Sequence, residues 1–251
     1  MDPMSYQHRR NQVEQYFDRT AFAAWARLTS DAPVSRIRAT VRAGRDRMRA
    51  QMLDALGSDL KGRRILDAGC GTGAMALALA QRGADVLAVD LSSQLIQLAR
   101  ERTAQEPKTG HILWVAGDML DASFGHFDHV VAMDSLIHYE AADMARALSE
   151  LAPRTAVSLH VSFAPRTPAL AMMHWLGRCL PRSDRAPAIV PLAGPKMLQT
   201  LSALASLKQY RVELGQKVSS GFYISQLLHI KRSLQTEPVS QAARIEVLEQ
   251  S

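Results

Sequence analysis

Residues 65–73, Ile65-Leu66-Asp67-Ala68-Gly69-Cys70-Gly71-Thr72-Gly73, pass from a short apolar run ending in an acid directly into three glycines spaced by small residues. Glycine permits backbone conformations that other residues avoid and lets the main chain approach a ligand closely. The segment therefore reads as a strand, a tight turn and the entry to a helix over 74–82. Downstream, short apolar runs at 85–89, 112–115, 129–133 and 155–163 alternate with helical stretches at 93–103 and 141–151. That alternation is the pattern of a parallel sheet with crossover helices. Two further runs, 207–214 and 222–228, are expected to pair antiparallel and close the sheet. The expected fold is α/β and Rossmann-like, a seven-stranded, mostly parallel sheet with helices on both faces.

Before this core, residues 1–60 carry helical periodicity and are expected to form a helical cap or arm, with Asp31 or Ser35 available to cap its second helix. In that helix Arg38, Arg42, Arg45 and Arg49 share one face beside an apolar one. The core spans 61–251 and is interrupted after the fifth strand by about 164–192. That stretch is too long for a plain connection and too apolar for a linker, and is expected to be a lid or substrate-binding insertion.

Composition narrows the function classes. The chain has 251 residues, 47% of them apolar and 22% charged, enough for one sizeable core. No apolar run reaches the roughly 18 residues of a membrane helix and residues 1–10 are polar, so a cytoplasmic protein without a spanning segment is expected. The two cysteines, one inside the glycine turn, argue against a disulfide or a cysteine metal site. The eight histidines show no ligand spacing, so no protein-bound metal is expected and any metal arrives with the substrate. A formal charge of +6 favours anionic partners, although an arginine stripe also serves as a solvated helix face.

The acid before the glycines decides the ligand class. A carboxylate at the strand end opposite a glycine turn suits a ligand with an ammonium and a sulfonium rather than a pyrophosphate, and S-adenosylmethionine (SAM) is such a ligand. Asp90 ends the second strand, where a carboxylate accepts from both ribose hydroxyls; a helix N-cap is its competing role. The segment resembles motif I of the class I SAM-dependent methyltransferases. That resemblance implies that Asp67, Gly69, Cys70, Gly71 and Gly73 hold the methionine moiety, that Asp90 and Leu91 flank the ribose, and that Asp118 and Met119 meet the adenine, with Asp134 also at the donor site.

After the fourth strand the chain reads Asp134-Ser135-Leu136-Ile137-His138-Tyr139, where acceptor-side residues sit in this fold. Neither Asn/Asp-Pro-Pro-Tyr nor Pro-Cys is present, which points to oxygen on a small molecule as acceptor. Beyond the donor motifs, Tyr16-Phe17-Asp18-Arg19-Thr20-Ala21-Phe22 with Trp25, Ile37-Arg38 through Gly44-Arg45, Asp134 to Tyr139, Phe163 to Pro168 and Gly221-Phe222-Tyr223 resemble the magnesium protoporphyrin IX O-methyltransferase family of (bacterio)chlorophyll synthesis. The resemblance implies methylation of one propionate carboxylate of the magnesium porphyrin. It also implies hand-over from the magnesium chelatase large subunit, and a place beside photosynthetic membranes follows from the substrate.

Within that reading His138 is the candidate catalytic residue, as a base, an orienter or a contact to the magnesium, with a backbone-satisfied core histidine as the plain alternative. Tyr16, Phe17, Phe22, Trp25, Arg38, Tyr139 and Arg166 are candidate substrate contacts. Other readings are a methyltransferase for a quinone-pathway phenol, an RNA-binding methyltransferase, and a non-catalytic SAM binder. No nucleic-acid partner is expected, because the arginines are not interleaved with aromatics.

Overall fold

The structure, a computed structural model, describes residues 3–16, 26, 28–29, 35–167 and 189–233. Helices α1 (Pro3–Tyr16) and α2 (Arg36–Leu56) precede β1 (Arg64–Ala68), α3 (Ala74–Gln81), β2 (Asp85–Asp90), α4 (Ser93–Thr103) and β3 (His111–Ala116). There follow β4 (Phe127–Ala132), α5 (Ala141–Leu151), β5 (Thr155–Phe163), α6 (Gly194–Ser202), β6 (Tyr210–Ser220) and β7 (Tyr223–Arg232). The strands form one seven-stranded sheet in the order β3-β2-β1-β4-β5-β7-β6. The five strands β1 to β5 are parallel, and β7 runs antiparallel to both β5 and β6.

Side chains alternate across a strand, and the burial follows suit. Leu66, Val130, Leu159 and Val161 join α5 and α6 in one apolar cluster, while Ile65, Val86 and Val131 join α2, α3 and α4 in another. Helix α2 starts where Ser35 Oγ accepts from the Arg38 amide at 3.4 Å. It packs on β6 and β7 with Met48 and Met52 fully buried, so this helix and the core share a hydrophobic cluster. Gly44 is required at this contact: a Cβ there would lie 2.5 Å from Cδ1 of Tyr223.

Some boundaries differ from the sequence expectation. Strand β4 begins at Phe127, not His129, and the Phe127 ring meets the guanidinium groups of Arg64 and Arg154, 4.8 and 5.8 Å from its centroid. The expected strand at 207–214 starts later because Ala205–Leu207 forms a 3-10 turn that buries Leu207, and it extends to Ser220 through a bulge between Leu214 and Lys217. Of the insertion, residues 168–188 lie outside the described residues. Its ends are joined: the Leu192 amide donates to Ala164 O and the Arg166 amide to Leu192 O.

One polar chain crosses the sheet interior. His129 Nδ1 contacts Ser158 Oγ at 2.8 Å, Ser158 Oγ contacts His160 Nε2 at 2.9 Å, and His160 Nδ1 contacts His229 Nδ1 at 2.8 Å. Two facing ring nitrogens make a hydrogen bond only if one of them is unprotonated. Burial, then the neighbouring His229 and His129, pushes His160 down to about 3 from 6.5. With the folded value below the unfolded one, stability is full above pH 6.5 and drains as pH falls from there towards 3. Urea unfolding at about pH 7.5 and about pH 4.5 should show this group contributing up to about 1.4 kcal/mol per pH unit in the window, and His160→Gln should flatten that slope.

Candidate active site

From β1 the chain moves outward through β2 and β3, then returns to place β4 on the other side of β1. Such a reversal opens a crevice at the strand C-termini, where ligands bind in open α/β sheets. A cavity of about 540 Å³ occupies it. Its floor is the glycine turn, and the turn after β4 stands against it. Gly69 has φ +80°, and a Cβ there would lie 2.3 Å from the Cβ of Ser135, so no larger residue fits. Gly73, at φ +85°, is packed just as closely by the indole of Trp114.

Asp67, Gly69, Cys70, Gly71, Asp90, Leu91 and Met119, all expected at the donor site, line this cavity. Asp67 is 1% exposed and its Oδ2 has no hydrogen-bond partner among the described residues. Burial, reinforced by the charge of Asp90, lifts its carboxyl to about 7. Asp90 is held by backbone, accepting from the Gly71 amide at 2.8 Å and the Ser92 amide at 3.0 Å. The capping role belongs to Ser92, whose Oγ accepts from Leu95 N at the start of α4.

Asp118 and Asp134 are placed differently from the donor-site expectation. Asp118 does not line the cavity. Its Oδ1 accepts from Leu120 N at 2.9 Å and Tyr6 Oη at 3.2 Å, and its Oδ2 lies 3.5 Å from Arg10 Nε. Tyr6 also stacks on Tyr139, with ring centroids 5.2 Å apart. Helix α1 is thereby fastened across the crevice, and its Val13 and Glu14 form part of the cavity wall. Asp134 does reach the wall, but three protein donors engage its carboxylate: Arg45 Nη1 at 2.5 Å, Ser162 Oγ at 3.0 Å and Tyr223 Oη at 3.0 Å. It is the one non-glycine residue with positive φ among those described, at 57°.

Immediately after it, a 3-10 turn over Leu136–His138 brings His138 and Tyr139 to the cavity. Val190, returning from the insertion, donates its amide to Ile137 O at 2.8 Å, so the insertion closes beside this turn. Of the other expected substrate contacts, Tyr16 is half-buried, Arg38 and Arg166 are exposed, and none of the three lines the cavity. Phe17, Phe22 and Trp25 lie outside the described residues.

The arginines that do reach the cavity are Arg42, Arg45, Arg49 and Arg102. Arg42 Nε donates to Leu28 O at 3.0 Å, and Arg102 donates to Ala26 O at 2.6 Å and Thr29 Oγ1 at 3.0 Å. Helical spacing put three of these four on one face, but it gave no way to tell which of the stripe turns inward. The result is a cavity lined by both carboxylates and arginines. SAM fits this arrangement: a buried carboxylate with one oxygen unpartnered among the described residues stands ready for an ammonium group, beside a glycine cradle with no room for side chains. Among the described residues no group of three or more His, Cys, Asp or Glu side chains is placed to hold a metal ion.

Known proteins agree with this geometry. A family model described as magnesium-protoporphyrin IX methyltransferase C-terminus matches residues 132–232, and a general methyltransferase domain matches 65–156. The magnesium-protoporphyrin O-methyltransferase of Rhodobacter capsulatus is 48% identical over 230 residues, 91% of this chain and 99% of that one. The crystal structure of magnesium protoporphyrin IX methyltransferase from Synechocystis PCC 6803 with bound SAH superposes with a TM-score of 0.75, at 26% identity over 89% of this chain and 99% of that one. A ubiquinone biosynthesis O-methyltransferase of Methylococcus capsulatus is 36% identical, but over only 42% of this chain.

The Asp67 geometry gives a pH prediction. A cationic ligand selects the ionised carboxylate, so SAM affinity should rise as pH climbs towards about 7, with proton release on binding below it. Calorimetry in buffers of differing ionisation enthalpy should detect that proton in the wild type and lose it in Asp67→Asn.

Proposed function

The chain belongs to the magnesium-protoporphyrin O-methyltransferase family, and we infer from this membership and from the cavity that it methylates a propionate carboxylate of magnesium protoporphyrin IX with SAM, giving the monomethyl ester. The observation that carries this reading is 48% identity extending over almost the whole of both chains. The phenol-methylating relative, by contrast, matches less than half of this chain.

When bound, SAM supplies a methyl group on a sulfonium, which departs as a neutral thioether. The protein's task is to bind, align and exclude water. In this reading Asp67 accepts from the ammonium end of the donor and Asp90 from the ribose, while the glycine turn gives the backbone close access. A carboxylate acceptor needs little acid or base chemistry when ionised, and alignment of reacting groups is worth roughly 7 to 11 kcal/mol of barrier. Burial in an apolar site disfavours the ionised form, however. His138, 7% exposed on the cavity wall, is suited to take the proton from a buried propionic acid or to orient its oxygen.

The macrocycle is proposed to lie between the N-terminal segment and the insertion after β5, whose two ends meet beside the His138 turn. Tyr16, Phe17, Phe22, Trp25, Arg38, Tyr139 and Arg166 remain its proposed contacts. Direct delivery by magnesium chelatase and contact with an anionic membrane surface belong to the same proposal, supported by the +6 charge and the exposed Arg36 and Arg38. No helix among the described residues is long and apolar enough to cross a membrane.

His138→Ala should lower kcat for ester formation by about 10²-fold while leaving SAM affinity within about twofold. Stopped assays that follow the ester by chromatography, with calorimetry for SAM, check both halves; full turnover in the variant would remove His138 from the chemistry.

A further inference from the structure

The order of the strands sets how a nucleoside-amino acid lies along the crevice. Asp67, near the end of β1, answers the ammonium group, and Asp90, at the end of β2, answers the ribose hydroxyls. Strand β3 is the next one outward, and neighbouring strands lie about 4.8 Å apart. A ligand that steps from β1 to β2 therefore brings its base to the end of β3, where Gly117 and Met119 line the cavity.

Adenine carries an exocyclic amino group there, and a donor removed from water needs an acceptor. Asp118 is the nearest acid in the chain, but it does not line the cavity and its oxygens are committed. Oδ1 accepts from Leu120 N and Tyr6 Oη, and Oδ2 lies 3.5 Å from Arg10 Nε.

Helix α1, which supplies both Tyr6 and Arg10, also brings an acid of its own. Glu14 follows Arg10 by four residues, so the two stand on one face of the helix, one turn apart. Arg10 meets Asp118 in the turn after β3, and Glu14 lines the cavity. Glu14 is half-buried, and among the described residues no ion pair or hydrogen bond engages its carboxylate. The arginines of the same cavity have acceptors elsewhere: Arg42 has Leu28 O, Arg45 has Asp134, Arg49 has Asp46, and Arg102 has Ala26 O and Thr29 Oγ1. An unclaimed carboxylate thus stands one helical turn from the place where the base arrives.

We propose that Glu14 accepts a hydrogen bond from the exocyclic amino group of the donor's adenine, and so selects adenine over a base with no hydrogen-bond donor at that position. The inference rests on SAM as the methyl donor and is independent of the methyl acceptor.

The test compares S-adenosylhomocysteine with its 6-deamino analogue, which carries hydrogen in place of the exocyclic amino group. Both are titrated by calorimetry into the full chain without porphyrin. The wild type is expected to bind S-adenosylhomocysteine about tenfold more tightly than the analogue. E14A should bring the two within about twofold, by weakening S-adenosylhomocysteine and leaving the analogue unchanged. A merely structural role for Glu14 would weaken both ligands alike, so the ratio separates contact from scaffold. E14Q has an amide oxygen that accepts the same hydrogen without a charge, and should keep about threefold, because a charge-assisted bond is roughly twice as strong as a neutral one. Thermal melting checks that each variant folds.

An undiminished preference in E14A, or in E14Q if E14A does not fold, would overturn the assignment. So would a wild type that binds both ligands alike. A wild type that binds neither would instead overturn the donor reading, and this inference with it.

Discussion

The site depends on two turns being pressed against each other. The bend after β1 and the bend after β4 meet where Gly69 faces Ser135, a separation that leaves no space for a Cβ. Because the sheet order reverses between these strands, both turns lie at the crevice, and their contact sets Asp67 and His138 as neighbours in the lining of one cavity. The cost is carried by Asp67, which is buried there with one oxygen unpartnered among the described residues. An uncompensated buried carboxylate is expensive in a folded protein. A ligand that supplies the missing positive charge recovers that cost as binding energy.

The parts of this arrangement that were legible in the sequence are those whose physical demand is local. Positive φ at Gly69, Gly71 and Gly73 restricts the residue to glycine, and the strand-end acids Asp67 and Asp90 follow the period of the sheet. Both can be read from a short window. Asp118 and Asp134 occupy the expected positions in the chain, yet their carboxylates are engaged by residues more than eighty positions away in sequence. No local pattern distinguishes a carboxylate awaiting a ligand from one already served by a tyrosine.

The inward turn of part of the arginine stripe and the place of Tyr6 were hidden for related reasons. Periodicity showed that Arg38, Arg42, Arg45 and Arg49 share a face, but which of them turn inward is set by where α2 crosses β6 and β7. Arg38, one turn before the crossing, is left in solvent. Tyr6 sits in a polar run without a strong apolar face, and only the fold brings Tyr139 and Asp118 to meet it. The later start of β6 has a similar origin, since Leu207 satisfies its need for burial in a turn rather than a strand.

The fastening of α1 has a consequence for how the site is assembled. Val13 and Glu14 line the cavity, while the same helix is held by the ring of Tyr6 on Tyr139 and by its hydroxyl on Asp118. A pocket founded on strand ends therefore borrows part of its lining from a helix well upstream of the first strand, and that borrowed part is kept in register by two rings that both lie outside the sheet.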